Sequence, residues 1–137
     1  MNRDKYIEEK EFVEEGYSPV VDYDKWRVAI LNYIDELEVE NIDKFSKHNE
    51  TDEVFVLLQG RCILYLKTES DEVFGIDMKP CKIYNIKKGI YHTHTLDEDA
   101  MVLIVENRDT SDENSTDISI TQDESNELKR IKEEFWR

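Results

Sequence analysis

From residue 53 onward the chain alternates between short apolar runs and short polar breaks. The runs read EVFVLLQ, RCILYLK, EVFGIDM, KIYNI, IYHTHTL and MVLIVEN, and the breaks that part the later ones are ESD, KPC, KKG and DEDA. The runs have strand length and are rich in β-branched and aromatic residues, while Gly, Pro, Asp and Lys fill the breaks. This pattern predicts an antiparallel all-β sandwich or barrel. The first two runs are parted by Gly60 and are expected to pair as a hairpin. Upstream, GYSPVVDYDKWRVAILNYIDELEVENI fits two or three more strands, with Pro19 where an edge or a strand start tolerates it. The acid- and serine-rich RDTSDENSTD reads as a surface loop. Only the last segment changes period. Leu128, Ile131 and Phe135 fall at i, i+3 and i+7, Lys and Arg crowd the last turn, and Asp123 or Ser125 can cap. One helix over 123–137 is therefore expected outside the barrel. The first sixteen residues are acidic, with Tyr6, Ile7, Phe12 and Val13 as apolar anchors, and fit either a short helix or a loosely held arm. The expected organisation is an arm (1–16), a barrel (17–122) and a helix (123–137).

Composition narrows the partners. At 137 residues the chain has room for one core. Its 18 basic and 33 acidic residues leave a net charge of −15, which repels phosphate backbones and anionic lipid, so neither nucleic acid nor a membrane surface is an expected partner. No stretch approaches the run of about 20 apolar residues that spans a bilayer, and MNRDKYIEEKEF lacks the apolar segment of a secretory signal. These features lead to an expectation of a cytoplasmic protein. Cys62 and Cys81 lack CxxC spacing and read as reduced thiols in or near the core. In the run 53–59, Val54, Val56 and Leu58 alternate with Glu53, Phe55 and Leu57, so both faces of that strand are apolar. Such a strand needs a second cover, either the terminal segments or another subunit, and a homodimer is expected.

The chain has three histidines. His48 precedes Glu53 by five residues, and His92 and His94 alternate with threonines in YHTHTL, so a strand turns both of those rings to one face. Glu53 opens an apolar strand. A buried carboxylate costs several kcal/mol unless a cation or strong donors meet it. Imidazoles and a carboxylate on neighbouring inner faces form a divalent-metal constellation. The plainer alternative is a solvated His48, an outward Glu53 and a strand histidine pair that is merely satisfied.

The same residues resemble the cupin pattern. In SKHNETDEVFVLLQG, Ser46, Lys47 and His48 are followed by four residues, Glu53, six residues and Gly60; in KKGIYH, Gly89 is followed by two residues and His92. The first histidine of the usual His-x-His pair is replaced by Ser46, and Lys87 stands where proline is usual. The resemblance covers roughly residues 40–107. It implies a double-stranded β-helix, or jelly-roll barrel, whose inner face holds Mn, Fe, Ni or Zn through His48, Glu53 and His92. His94 would be a further ligand or a proton carrier, and Tyr84 or Tyr91 a proton shuttle. It also implies a small polar organic substrate or ligand. The alternatives are a metal-free sugar isomerase or epimerase, with His92 or His48 as base and a tyrosine as acid, and a non-catalytic small-ligand-binding module.

Overall fold

The computed structural model describes residues 1–137. The elements run β1 Gly16–Tyr23, β2 Trp26–Asn32, β3 Lys44–His48, β4 Glu53–Gln59, β5 Cys62–Lys67, β6 Val73–Asp77, β7 Ile83–Ile86, β8 Tyr91–Leu96, β9 Met101–Asn107, β10 Ser115–Ser119 and α1 Gln122–Phe135. The strands form two antiparallel sheets, ordered β1-β2-β9-β4-β7 and β10-β3-β8-β5-β6. The arrangement is the expected jelly-roll barrel with one C-terminal helix.

Alternation within each strand builds the core. Ala29 and Leu31 on β2, Phe55 and Leu57 on β4, and Val102 and Ile104 on β9 point inward, where they meet Cys62, Leu64 and Leu96 from the second sheet. The second sheet is apolar on its other face too. Phe45, Ile63 and Tyr65 pack there against Leu128 and Ile131 of α1. The Tyr65 hydroxyl donates to the Leu128 carbonyl at 2.9 Å. Gly75 lets the helix sit close, since a Cβ at that position would lie 2.6 Å from Ile131. Helix and barrel thus share one apolar layer.

The structure departs from the sequence-based expectations in four places. β4 and β5 do not form a hairpin: β4 pairs with β9 and β7, and β5 pairs with β8 and β6. Gly60 is a corner at which the chain crosses between sheets. Its φ is +71°, and a Cβ there would meet the Ala100 backbone at 2.5 Å, so only glycine fits. The end of the polar segment is not loop, because β10 pairs with β3 from Ser115 to Ser119 as an edge strand. An edge strand wetted on one side needs few apolar residues, which is why its sequence reads as loop. Neither Asp123 nor Ser125 caps α1. Thr121 does, in a capping box in which its side chain accepts from the Glu124 N–H and Glu124 accepts from the Thr121 N–H. Finally, Cys62 is buried as expected but Cys81 is exposed, in a turn with φ +64°.

The N-terminal segment carries one short 3₁₀ turn at Arg3–Lys5. It is tied to the barrel by Asn32, whose side-chain amide donates to the carbonyls of Phe12 at 2.9 Å and Glu14 at 2.8 Å. No helix is long and apolar enough to cross a membrane.

Candidate metal centre

The site lies between the two sheets. β3 turns Ser46 and His48 inward, β4 supplies Glu53 and β8 supplies His92 and His94, each by the two-residue period of a strand. Ligand atoms of His48, Glu53 and His92 all lie within 4.8 Å of one another. Glu53 is nearly sealed from solvent, at 7% exposure. His92 Nε2 sits 3.0 Å from its Oε1 and His48 Nε2 sits 3.4 Å from its Oε2. The carboxylate is thus clasped by two imidazoles.

The outer partners fix how the rings present their nitrogens. His92 Nδ1 donates to the Ile90 carbonyl at 2.9 Å, because a carbonyl can only accept. That leaves Nε2 as the atom directed to the centre. His48 Nδ1 meets the Ser115 hydroxyl on β10 at 2.8 Å, so its Nε2 also faces the centre. Ser46, where a ligand histidine would stand in the resembled pattern, instead donates to Asp117 at 2.6 Å.

A second charged row continues from Glu53 across the first sheet. In register, Val54 opposes Val105, so Glu53 stands beside Glu106 on β9, and Glu106 opposes Arg27 on β2. Arg27 Nη2 reaches Glu106 Oε1 at 2.6 Å, and the Tyr17 hydroxyl donates to the same oxygen at 2.8 Å. Burial opposes ionisation of Glu53, but the hydrogen bonds from His48 and His92 outweigh it and hold that carboxyl below its usual range. Burial and the neighbouring Glu53 push the Glu106 carboxyl up. Of the two acids, Glu53 therefore gives up its proton the more readily. The hydrogen bond to Glu53 raises the His48 pKa against the effect of burial.

A cavity of about 500 Å³ opens over these groups. Leu31, Phe55 and Ile104 form its apolar wall, and Glu36, Leu37, Asn41 and Ile42, from the connection between β2 and β3, form its roof. His94 lines the same cavity but lies outside the three-residue cluster. Its Nδ1 is buried without a hydrogen-bond partner, and burial, with His92 beside it, pushes its pKa down to about 4.

The structure thus brings His48, Glu53 and His92 together and sets His94 at the cavity wall. It does not bring Tyr84 or Tyr91 to the cavity. Tyr84 packs against the core, and its hydroxyl accepts from the Lys79 N–H at 2.9 Å. Tyr91 packs on the helix side of the second sheet, with Lys47 over its ring at 4.7 Å. The tyrosine on the cavity is Tyr17, which sequence reasoning passed over along with Arg27 and Glu106. The signal that singled out Glu53, a charge inside an apolar strand, is present in WRVAILN and MVLIVEN as well.

The donor set fits a divalent transition ion. Two imidazole nitrogens and a carboxylate converge, and both rings have their other nitrogen tied by a hydrogen bond, the usual arrangement behind metal-ligating histidines.

No protein-family model and no curated protein matches the chain. Solved structures do. A cupin-2 domain containing protein from Shewanella frigidimarina aligns with a TM-score of 0.51 at 20% identity, covering 71% of this chain and 85% of that one. Streptomyces PAC13, solved with uridine, aligns at 0.55 and 13%, covering 86% and 88%. Bacillus subtilis oxalate decarboxylase aligns at 0.57 and 14%, covering 76% of this chain but only 29% of the enzyme. At such identities the likeness shows the fold: this chain folds as a small cupin domain.

Proposed function

We propose that this protein is a single-domain cupin that holds a divalent transition metal ion, Mn, Fe, Ni or Zn, through His48, Glu53 and His92 and acts on a small polar organic molecule in the cytoplasm. The observation that carries this reading is the convergence of three ligand atoms, within 4.8 Å of one another, beneath a cavity of about 500 Å³. Such an ion supplies a Lewis acid that polarises a carbonyl or hydroxyl. The chain's own residues supply the rest. His94, neutral at neutral pH, offers its unpartnered Nδ1 as a proton acceptor at the cavity wall. The shuttle role expected of Tyr84 or Tyr91 passes to Tyr17, whose hydroxyl rests on Glu106. Leu31, Phe55 and Ile104 keep water from one side of the bound molecule.

Thermal unfolding after chelation and back-titration tests the metal. The unfolding temperature should rise with the logarithm of free ion above its dissociation constant, because the ion binds the native state alone. Glu53→Gln and His92→Ala should abolish the rise, and Lys47→Ala, whose side chain points to the other face, should keep it. No rise with any of the four ions overturns the metal reading.

One observation favours a second reading. Glu53 is already satisfied by two imidazoles, and PAC13, a nucleoside dehydratase, aligns over 86% of this chain. In a metal-free isomerase or dehydratase, His48 or His92 would be the base and Tyr17 the acid. A uridine-dependent shift in the unfolding temperature, without any metal-dependent one, would select it.

A further inference from the structure

We infer that an acidic, extended segment of a partner protein docks along β7 and adds a strand to the open edge of the first sheet. β7 ends that sheet, β6 ends the other, and the two strands do not pair. Alternate residues of an end strand turn their N–H and C=O groups away from the sheet, so β7 offers hydrogen bonds that nothing in this chain takes up. A groove of about 570 Å³ adjoins this edge. Leu66 and Phe74 line it from the second sheet, and Asn85, Ile86 and Lys87 line it from the end of β7. Phe74 is left 44% exposed there. An open edge beside an apolar groove binds extended chains as added strands: backbone bonds hold the segment and alternate side chains enter the groove.

Charge identifies the occupant. Of 137 residues 33 are acidic, yet the stretch 78–96 contains no Asp or Glu and carries Lys79, Lys82, Lys87 and Lys88. All four are exposed, two before β7 and two after it. Lys44, Lys67, Arg108, Arg130 and Lys132 each pair with a carboxylate, but these four lysines pair with none. Asp52 lies beside them, but its oxygens accept from the Lys88 N–H at 2.8 Å and the Asn85 side-chain amide at 3.1 Å. Edge lysines also deter aggregation, a role that calls for no groove. The net charge of −15 does not bar an acidic partner, because charges more than about 8 Å apart are largely screened at physiological salt and the lysines then dominate locally. Glu69 lies across the groove, so the acids of the segment belong at its two ends, over the lysine pairs, with apolar or hydroxyl-bearing residues between. Lys82 and Lys87 flank the strand at a span of about 16 Å, at about 3.3 Å per residue, which sets a segment of about six residues.

Fluorescence anisotropy tests the proposal with a labelled peptide of about six residues, valines and threonines between terminal aspartates, titrated with protein to about 1 mM. The aspartate peptide should bind at least tenfold more tightly than the same peptide ending in lysines. Lys87→Glu combined with Lys88→Glu should weaken it at least tenfold with an unchanged circular dichroism spectrum, and Lys129→Glu on α1 should leave it unchanged. Methylating alternate backbone nitrogens of the peptide should abolish binding, since an added strand needs those N–H groups. Should the double variant fail to fold, hydrogen exchange on the wild type replaces it: the aspartate peptide should slow amides of β7 and leave those of α1 as they were. Absence of binding, equal binding of the two peptides, or binding that survives the lysine substitutions or the methylation overturns the proposal and leaves the lysines as guards against aggregation. Equal competition by a single-stranded oligonucleotide overturns it too, because charge alone would then account for the binding.

Discussion

Glu53 and Glu106 stand side by side, both buried, and Arg27 is what makes the pair tenable. Its guanidinium holds Glu106 with Nε at 3.1 Å and Nη2 at 2.6 Å, and anchors itself on the carbonyls of Arg108 and Thr110. Removing one partner of a buried ion pair strands the other, so Arg27→Met should cost about 3–5 kcal/mol by urea unfolding at pH 7. The loss should shrink as the pH falls, because the raised Glu106 carboxyl takes up a proton and no longer needs the guanidinium. The histidines have opposite signs. His94 is a base whose folded pKa, about 4, lies below its usual 6.5. Its contribution to stability is complete above pH 6.5 and is lost as the pH falls toward 4. His48 has a raised folded pKa, so its contribution is complete below 6.5 and is lost as the pH climbs through the folded value. In metal-free protein, the ring protons followed by NMR should show one histidine titrating near pH 4 and another above 6.5. His94→Gln should remove the low-pH resonance shift, and its stability difference from wild type should narrow as the pH drops.

At the scale of elements, glycines and caps decide where strands and helix stop. Gly60 and Gly89 both have positive φ, +71° and +78°, but only Gly60 is hemmed in by backbone; a Cβ on Gly89 would meet nothing within 4 Å. Gly60→Ala should therefore cost about 2–5 kcal/mol, from left-handed strain plus overpacking. Gly89→Ala should cost only about 1–2 kcal/mol. Thr121→Ala should cost about 1 kcal/mol by the same unfolding measurement, since it removes the hydroxyl that caps α1. Such local features were partly legible. The Thr121-x-x-Glu124 spacing is visible in the sequence as a capping box. Tyr91, next to His92 on one strand, had to face the opposite side by alternation alone. Gly60 as a corner rather than a hairpin turn was not legible. The runs on either side have the same composition in both cases, and only the partners β9 and β8 tell them apart.

For the whole molecule, the barrel balances two unlike sheet faces. One is sealed by α1 through Phe45, Ile63, Tyr65, Leu128 and Ile131; the other carries no helix of this chain. The apolar pattern of β4 led to the expectation of a second cover. The structure adds that Val28 and Ile30 on β2 and Leu103 and Val105 on β9 share this outer face with Val54 and Val56, while β5 finds its cover within the chain.

What the sequence determined by itself was everything set by local periodicity. That includes the strand runs from 53 to 107, the terminal helix, the common face of His92 and His94, and the spacing of His48, Glu53, Gly60 and His92 that resembles the cupin pattern. A two-residue or 3.6-residue repeat is a property of adjacent residues and needs no partner to be read. Tertiary structure alone decided which sheet each strand joined. It placed Ser115 behind His48 and set Tyr17, Arg27 and Glu106 beside Glu53, though these lie up to 89 residues apart in the chain. Strand pairing is made by hydrogen bonds between distant segments, and backbone groups are the same in every residue except proline. The sequence therefore names the strands but leaves their neighbours to the packing of the whole.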